Sequence, residues 1–441
     1  MMKKIILFLL FLISFVSAAS DVKILGLRVY GNGDEYRPPI IERGEVVSIE
    51  FDVATVHPPN LQIIFKHASK DWIVDENVFV NDPSKIMTEY LAYTTAPHGV
   101  SHYTYSYKNS FPNKRNRVEF THSGNYKFFI IDRDNNDQVL AEGKFIVVEN
   151  LVDASMTVAN RYYPEMASPF NQVHIVTVNV SVPERYTADD ANTLYHADVK
   201  TVDIIQNWRL TQPYRIDLDD NNSDTFVDDF MKPNKKFWIR NIPAGNEYRR
   251  LDLSNTTTYP NRQLARLING PDLSRFQWQG KPDANGASKL KPFTGTNSDY
   301  LEVEMRLRLS EAPSKKMYVT GGFTNWEVLP GYSLTTDSAT GLYTVRFWVR
   351  RGVYDYQYVL GEEHADGTIV DQDWVTLEGN DWRTVSRLTA LIYYRDRRYG
   401  GFDRIVGAVR GRSPGGGEGA IDTSTNQKIS TVTPAINRKT R

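Results

Sequence analysis

His98 and His102 stand four apart with Ser101 beside the second, a spacing that on a helix would turn both imidazoles toward one metal ion. The intervening Gly99-Val100-Ser101 is not a helical sequence, so these read as loop histidines. Ser101 lacks a G-x-S-x-G setting, and adjacent residues do not readily make a nucleophile and its base. Asp217, Asp219, Asn221, Ser223 and Asp228 follow the order of oxygen ligands in a calcium loop, including a carboxylate at the twelfth position. Asn222 stands where such loops turn on glycine, Asp224 replaces an apolar eighth residue, and no helices flank the segment. We read it as an acidic solvated loop. Acid pairs such as Asp189-Asp190 and Glu362-Glu363 are what two-carboxylate hydrolysis would need, yet adjacent acids are expected by chance among 53 acidic residues. The chain therefore reads as a binding protein and not an enzyme, with no catalytic, cofactor-binding or metal-ligating residue assigned.

The elements that carry these residues are strands. Leu301, Val303, Met305, Leu307 and Leu309 alternate with Glu302, Glu304, Arg306 and Arg308, the period of two expected where one sheet face is buried. Val345, Phe347 and Val349 alternate likewise within Thr344–Arg350, and Tyr354, Tyr356 and Tyr358 within Val353–Val359, with Arg351-Gly352 breaking the two apart. Val176, Val178, Val180 and Val182 mark another strand. Further candidates are Val46–Val53, Leu61–Phe65, Asn125–Ile131, Lys144–Val148, Lys200–Trp208, Phe237–Ile242, Tyr248–Leu253, Leu388–Tyr394 and Phe402–Ala408. Arg262–Ile268 is the one helical hint, too short to stand alone. Gly280–Asn297, rich in Gly, Pro, Lys and Asn, reads as a linker or long loop. The expectation is an all-β chain of tandem immunoglobulin-like β-sandwiches, with domains over 20–150, 151–297 and 298–411 and a disordered tail over 412–441.

Residues 1–19 have the composition of a signal peptide: Lys3 and Lys4, an apolar run from Ile5 to Val16, and a small-residue cleavage site at Val16-Ser17-Ala18 or Ser17-Ala18-Ala19. The run of roughly a dozen residues is short of the roughly 20 that span a bilayer. A protein exported out of the cytoplasm without membrane insertion is expected, and with no cysteine in the chain it must fold without disulfides. Without Lys3 and Lys4, 50 basic residues face 53 acidic ones, which is no charge for binding nucleic acid. Lys114, Arg115, Arg117 and Arg395, Arg397, Arg398 are small basic clusters, read as solvated surface or as contacts for acidic loops of a partner.

Tyr318–Thr320 runs into Gly321-Gly322-Phe323-Thr324-Asn325-Trp326, and an aromatic-rich strand follows Gly352. This order resembles early-set, glycogen-binding modules of immunoglobulin type. The resemblance would make Trp326 a sugar-stacking residue, with Gln357 at the position of a lysine and Trp374 in place of a second tryptophan. Those three residues constitute a carbohydrate-binding alternative.

A wider set of segments covers nearly the whole mature chain: His67 to Trp72, Tyr103 to Tyr107, Phe111-Pro112-Asn113, Ser123-Gly124-Asn125-Tyr126, Pro243-Ala244-Gly245-Asn246-Glu247-Tyr248-Arg249, Tyr356-Gln357-Tyr358 and Tyr393-Tyr394-Arg395. In this order they resemble the plug protein family of the type IX secretion system. The resemblance implies a periplasmic protein whose partner is the outer-membrane translocon barrel, closed by it at the inner mouth until a substrate arrives.

Overall fold

The computed structural model describes residues 22–167, 170–183, 193–228, 233–275, 280, 283–290, 295–415 and 421–425, the last five through their backbone. The expected signal peptide, Asp189-Asp190 and most of the expected tail lie outside the described residues.

Eight strands form the first sandwich: β1 (Ile24–Gly31), β2 (Ile40–Glu42), β3 (Val47–Val53), β4 (Leu61–Ala68), β5 (Tyr93–Thr95), β6 (Tyr105–Phe111), β7 (Gly124–Asp132) and β8 (Gln138–Val148). Among the described residues they pair only with one another, in sheets ordered β1-β3-β6-β5 and β2-β8-β7-β4. β4 shows why: Leu61, Ile63, Phe65 and His67 are buried while Gln62, Ile64 and Lys66 are half open. The core between the sheets is aromatic, with Phe65 edge-on to Phe111 at 5.0 Å and Phe51 stacked on Tyr107 at 4.8 Å.

The second unit begins with β9 (Asp153–Tyr162), β10 (Gln172–Ser181), β11 (Thr201–Gln206), β12 (Tyr214–Asp217), β13 (Thr225–Asp228) and β14 (Asn234–Pro243). The third contains β15 (Arg249–Asp252), β16 (Ala265–Arg266), β17 (Asp272–Leu273), β18 (Ser288–Leu290), β19 (Tyr300–Arg308), β20 (Lys316–Gly321), β21 (Thr335–Asp337), β22 (Leu342–Arg350), β23 (Gly352–Glu363) and β24 (Ile369–Asp373). Its sheets are built around β23, which pairs with β15, β18, β20 and β24, and around β19, which pairs with β16, β17 and β22.

Three strands remain: β25 (Arg387–Asp396), β26 (Phe402–Arg412) and β27 (Ile421–Thr425). Here the structure departs from the expected boundaries. β25 and β26, expected to close the third sandwich, instead complete the second in a sheet ordered β12-β11-β25-β26, facing another ordered β13-β14-β10-β9-β27. The third sandwich is thus an insertion in the second. The physical reason is that β25 and β26 are apolar on both faces. Leu388, Ala390, Ile392 and Val406 fill the core of the second sandwich, while Leu391, Tyr393, Ile405 and Ala408 pack against Ile40, Ile146 and Val148 of the first. A sheet covered on both sides cannot lie at the solvent-facing end of a chain of domains.

Three smaller expectations are corrected as well. The helical hint at Arg262–Ile268 contains β16, which runs parallel to β19 and ties Arg266 to Glu304. The linker read at Gly280–Asn297 contains β18, whose Leu290 pairs with Gly352, and a turn that packs inside the molecule. The tail contains β27, paired antiparallel with β9.

Candidate functional site

The side chains of greatest consequence lie where the three sandwiches meet. The turn after β20 continues through a short 3-10 segment, Gly322–Thr324, and leaves Asn325 and Trp326 in the left-handed region, φ 51° and 63°. Asparagine visits that region readily, whereas a bulky aromatic does so only when its surroundings hold it. Asn325 is held by β1, its Oδ1 accepting from Val29 N at 3.3 Å and its Nδ2 donating to Leu27 O at 2.9 Å. Trp326 turns inward to 2% exposure, donating Nε1–H to Gly286 O at 2.6 Å and packing 4.4 Å from the Tyr248 ring. Tyr30 and Trp208 complete the cluster, so each of the three sandwiches contributes an aromatic ring. Gly286, at φ 92°, has no room for a side chain: a Cβ would lie 2.9 Å from Trp208 and 3.2 Å from Trp326.

Buried polar groups add to these junctions. Asp52 on β3 accepts from the Tyr300 hydroxyl at 2.9 Å and from Arg350 at 3.1 Å, both in the third sandwich. Burial pushes the Asp52 carboxyl up, against the opposing pull of the Arg350 guanidinium. Arg404 on β26, itself buried, bridges Glu149 of the first sandwich and Asp396 of β25. The Tyr393 hydroxyl donates to Asn125 at 2.9 Å. These contacts, with the apolar cores around them, join the sandwiches into one body.

The residues singled out in the sequence are distributed differently from expectation. Trp326 and Gln357 are buried, Gln357 donating to Trp374 O at 3.1 Å, and Trp374 is partly buried beneath the Arg209 guanidinium at 5.0 Å. A sugar ring cannot stack on an enclosed indole, so the carbohydrate site of Trp326, Gln357 and Trp374 is not formed. Ser101 and His102 do meet an acid, Asp299 of the third sandwich. Ser101 Oγ donates to Asp299 Oδ2 at 2.9 Å, and His102 Nδ1 lies 3.0 Å from Oδ1 and 3.4 Å from Ser101 Oγ. A relay needs the two ring nitrogens to face opposite partners. Here Nδ1 faces both, and the trio is an interdomain clasp capped by Trp348 at 4.3 Å.

Asp217 ends β12 bound to Lys70 and Thr201, Asp219 pairs with Lys200, and Asp228 lies in β13. Among the described residues no group of three or more metal-ligating side chains is assembled. Glu362 and Glu363 pair with Lys315 and Lys316. Both basic clusters are largely compensated: Arg395, Arg397 and Arg398 pair with Asp403, Asp198 and Asp396, Arg115 covers the Tyr90 ring at 3.9 Å, and Arg117 lies near Glu89.

Sequence reasoning missed an exposed apolar patch. Phe79 and its neighbour Val78 are 68% and 61% exposed, and Tyr399, at the tip of the β25–β26 hairpin, is 46% exposed. Phe79 stacks on Tyr399 at 5.4 Å, Asn77 donates to Tyr399 O, and His122 and Phe402 back the patch. Tyr399 holds φ 53°, followed by Gly400 and Gly401 at 85° and 98°. A tyrosine in the left-handed region with its ring displayed to solvent, at the seam of two sandwiches, is a feature that binding surfaces carry. No sequence signal could have joined these residues, because they come from opposite ends of the chain.

Among the described residues no helix is long and apolar enough to cross a membrane. The fold is similar to the crystal structure of a hypothetical protein from Parabacteroides merdae ATCC 43184, at TM-score 0.70 and 20% identity, over 88% of this chain and 97% of that one. No curated protein matches the chain. Residues 24–149, the first sandwich, match the family model of the type 9 secretion system plug protein 1st domain, which ties the chain to type 9 secretion. The first sandwich is therefore a domain of the type 9 secretion system plug protein 1st domain family.

Proposed function

We propose that the protein is a periplasmic plug, exported by cleavage of residues 1–19, which binds the periplasmic mouth of the outer-membrane translocon barrel and closes it sterically. The family match of residues 24–149 carries this reading. The physical design supports it. A plug must resist being pulled apart at the pore, and here three sandwiches share buried aromatic and ionic junctions where flexibly linked domains would have none. A plug must also be released, which favours a modest contact surface over a large apolar one. The patch of Val78, Phe79 and Tyr399 is of that kind: a few anchor side chains on a polar body.

The test is affinity capture of the barrel from detergent-solubilised outer membranes with the tagged mature protein, alongside a Phe79→Ser, Tyr399→Asn variant. Recovery of a very large barrel protein by the wild type and its loss with the variant is the expected result. Equal recovery by both removes the patch from the interface, and recovery of no barrel by either sinks the plug reading.

A further inference from the structure

We propose that Arg209 and Trp374, where the second and third sandwiches meet, form a binding site for a small free carboxylate. This does not rest on the plug reading. Among the described residues five arginines are buried: Arg28, Arg209, Arg249, Arg351 and Arg404. Arg28 faces Glu35 and Glu50, each at 2.9 Å, and Arg249 faces Glu378 at 3.0 Å and Asp272 at 3.1 Å. Arg404 bridges Glu149 and Asp396, and Arg351 donates to Leu253 O at 2.8 Å and to Tyr259 O and Asn261 Oδ1 at 2.7 Å. Arg209 breaks the pattern. It is 7% exposed, its Nε–H is enclosed, and among the described residues no side-chain hydrogen bond or ion pair satisfies its guanidinium. A buried charge without an acceptor is among the costliest arrangements a fold can hold.

The surroundings of Arg209 specify what is missing. Its guanidinium lies over the Trp374 ring, 5.0 Å from the centroid. That contact uses the electron-rich face of the indole and leaves the in-plane N–H donors of the arginine unused. Trp374 adds a second donor, since its Nε1–H is also enclosed and has no acceptor among the described residues. Trp326, in the same cluster, shows the usual outcome by donating its own Nε1–H to Gly286 O. Two unsatisfied donors in one contact call for an acceptor with two oxygens in a plane, as a carboxylate has. The charge balance sets its valence. Asp283 and Asp355 act on the Tyr248 hydroxyl together with Arg209, but Asp283 accepts from Tyr248 N at 2.6 Å and Asp355 from Ala284 N at 2.6 Å. A doubly charged phosphate would meet two carboxylates with one guanidinium, so a single negative charge fits. With so little of Arg209 at the surface, the occupant is a free small molecule, and the rings of Trp374 and Tyr248 favour an apolar or aromatic group beside its carboxylate.

The test is a titration of the mature protein with benzoate and with acetate at fixed ionic strength, read by melting temperature and by the NMR signal of the Arg209 Nε–H. Benzamide, which has the shape without the charge, and inorganic phosphate are the comparisons. We expect saturable binding of benzoate in the millimolar range or tighter, a shift of the Arg209 signal, and no response to benzamide. Arg209→Met should bind benzoate about 30-fold more weakly or worse, the loss of a charge-assisted hydrogen bond. Trp374→Phe, which keeps a ring and loses the donor, should weaken binding about fivefold. No saturable response to either carboxylate overturns the site, as does an equal response in Arg209→Met. Phosphate bound as tightly as benzoate, or benzamide bound as tightly, overturns the carboxylate as the ligand. Should Arg209→Met fold poorly, the wild-type signal and Trp374→Phe decide instead: an Arg209 Nε–H that does not move with benzoate overturns the site.

Discussion

Replacing Trp326 with alanine separates the structural reading of this residue from the sugar-binding one. The indole is 2% exposed and lies in one buried cluster with residues of all three sandwiches. Truncating a buried Trp to Ala typically costs about 3–5 kcal/mol, because transfer energy is lost and the cavity collapses only in part. Gly286 O also loses the Nε1–H donor at 2.6 Å, which adds about 1 kcal/mol. The backbone at φ 63° is unfavourable for both residues, so it contributes little to the difference. The sum, roughly 4–6 kcal/mol, is a large part of the roughly 5–15 kcal/mol that stabilises an ordinary domain. Urea denaturation of wild type and Trp326→Ala should show the variant's first transition at much lower denaturant. A solvent-facing stacking residue would cost within about 0.5 kcal/mol on substitution. A loss below about 1 kcal/mol with an unchanged denaturant slope refutes the reasoning and returns Trp326 to the surface.

Three further outcomes are expected. His174, fully buried with Nδ1 on Asn160 and no partner for Nε2 among the described residues, is held down to about 4 by burial. A neutral histidine so placed contributes stability above its unfolded value of 6.5 that is lost as pH falls toward 4, about 3 kcal/mol in all; His174→Leu should flatten that dependence in acid titrations of folding, and an unchanged slope contradicts it. Arg404→Met strands Glu149 and Asp396 near the first junction; because Arg43 and Arg398 still face them, the cost should fall near the low end of the usual range, about 3 kcal/mol by thermal or urea melts. Tyr399→Asn removes the exposed ring while easing a left-handed backbone, so stability should hold or rise while barrel affinity in a binding titration falls about 30-fold, the loss of one anchor of about 2 kcal/mol.

Much of the strand content was legible because one-sided strands advertise their period. β19, with Glu302 and Arg306 half open between buried neighbours, and β22, with Arg346 and Trp348 exposed, are such cases. β25 was legible as a strand but not as a member of a sheet, since a strand buried on both faces carries no mark of which neighbour it joins. The two-to-four-residue strands β15 to β18 are too short for periodicity and owe their existence to β23 and β19 beside them. The bend into Trp326 was readable from its glycines, whereas the side to which the indole turns depends on Tyr30 and Trp208, which the sequence places far away. Ser101, His102 and Asp217 of β12 looked chemical in isolation, and each is occupied by a structural partner across a junction. The exposed patch was invisible for the same reason in reverse: its members become neighbours only after the third sandwich is inserted and β25 and β26 return to the first.

The central claim, closure of a barrel by this body, is tested most directly by single-channel recording of the purified translocon barrel in a planar bilayer, with the mature protein added to the periplasmic side. The account predicts that open-channel conductance falls stepwise on addition, and returns when wild type is exchanged for the Phe79→Ser, Tyr399→Asn variant. Conductance that is indifferent to the wild-type protein at saturating concentration contradicts it.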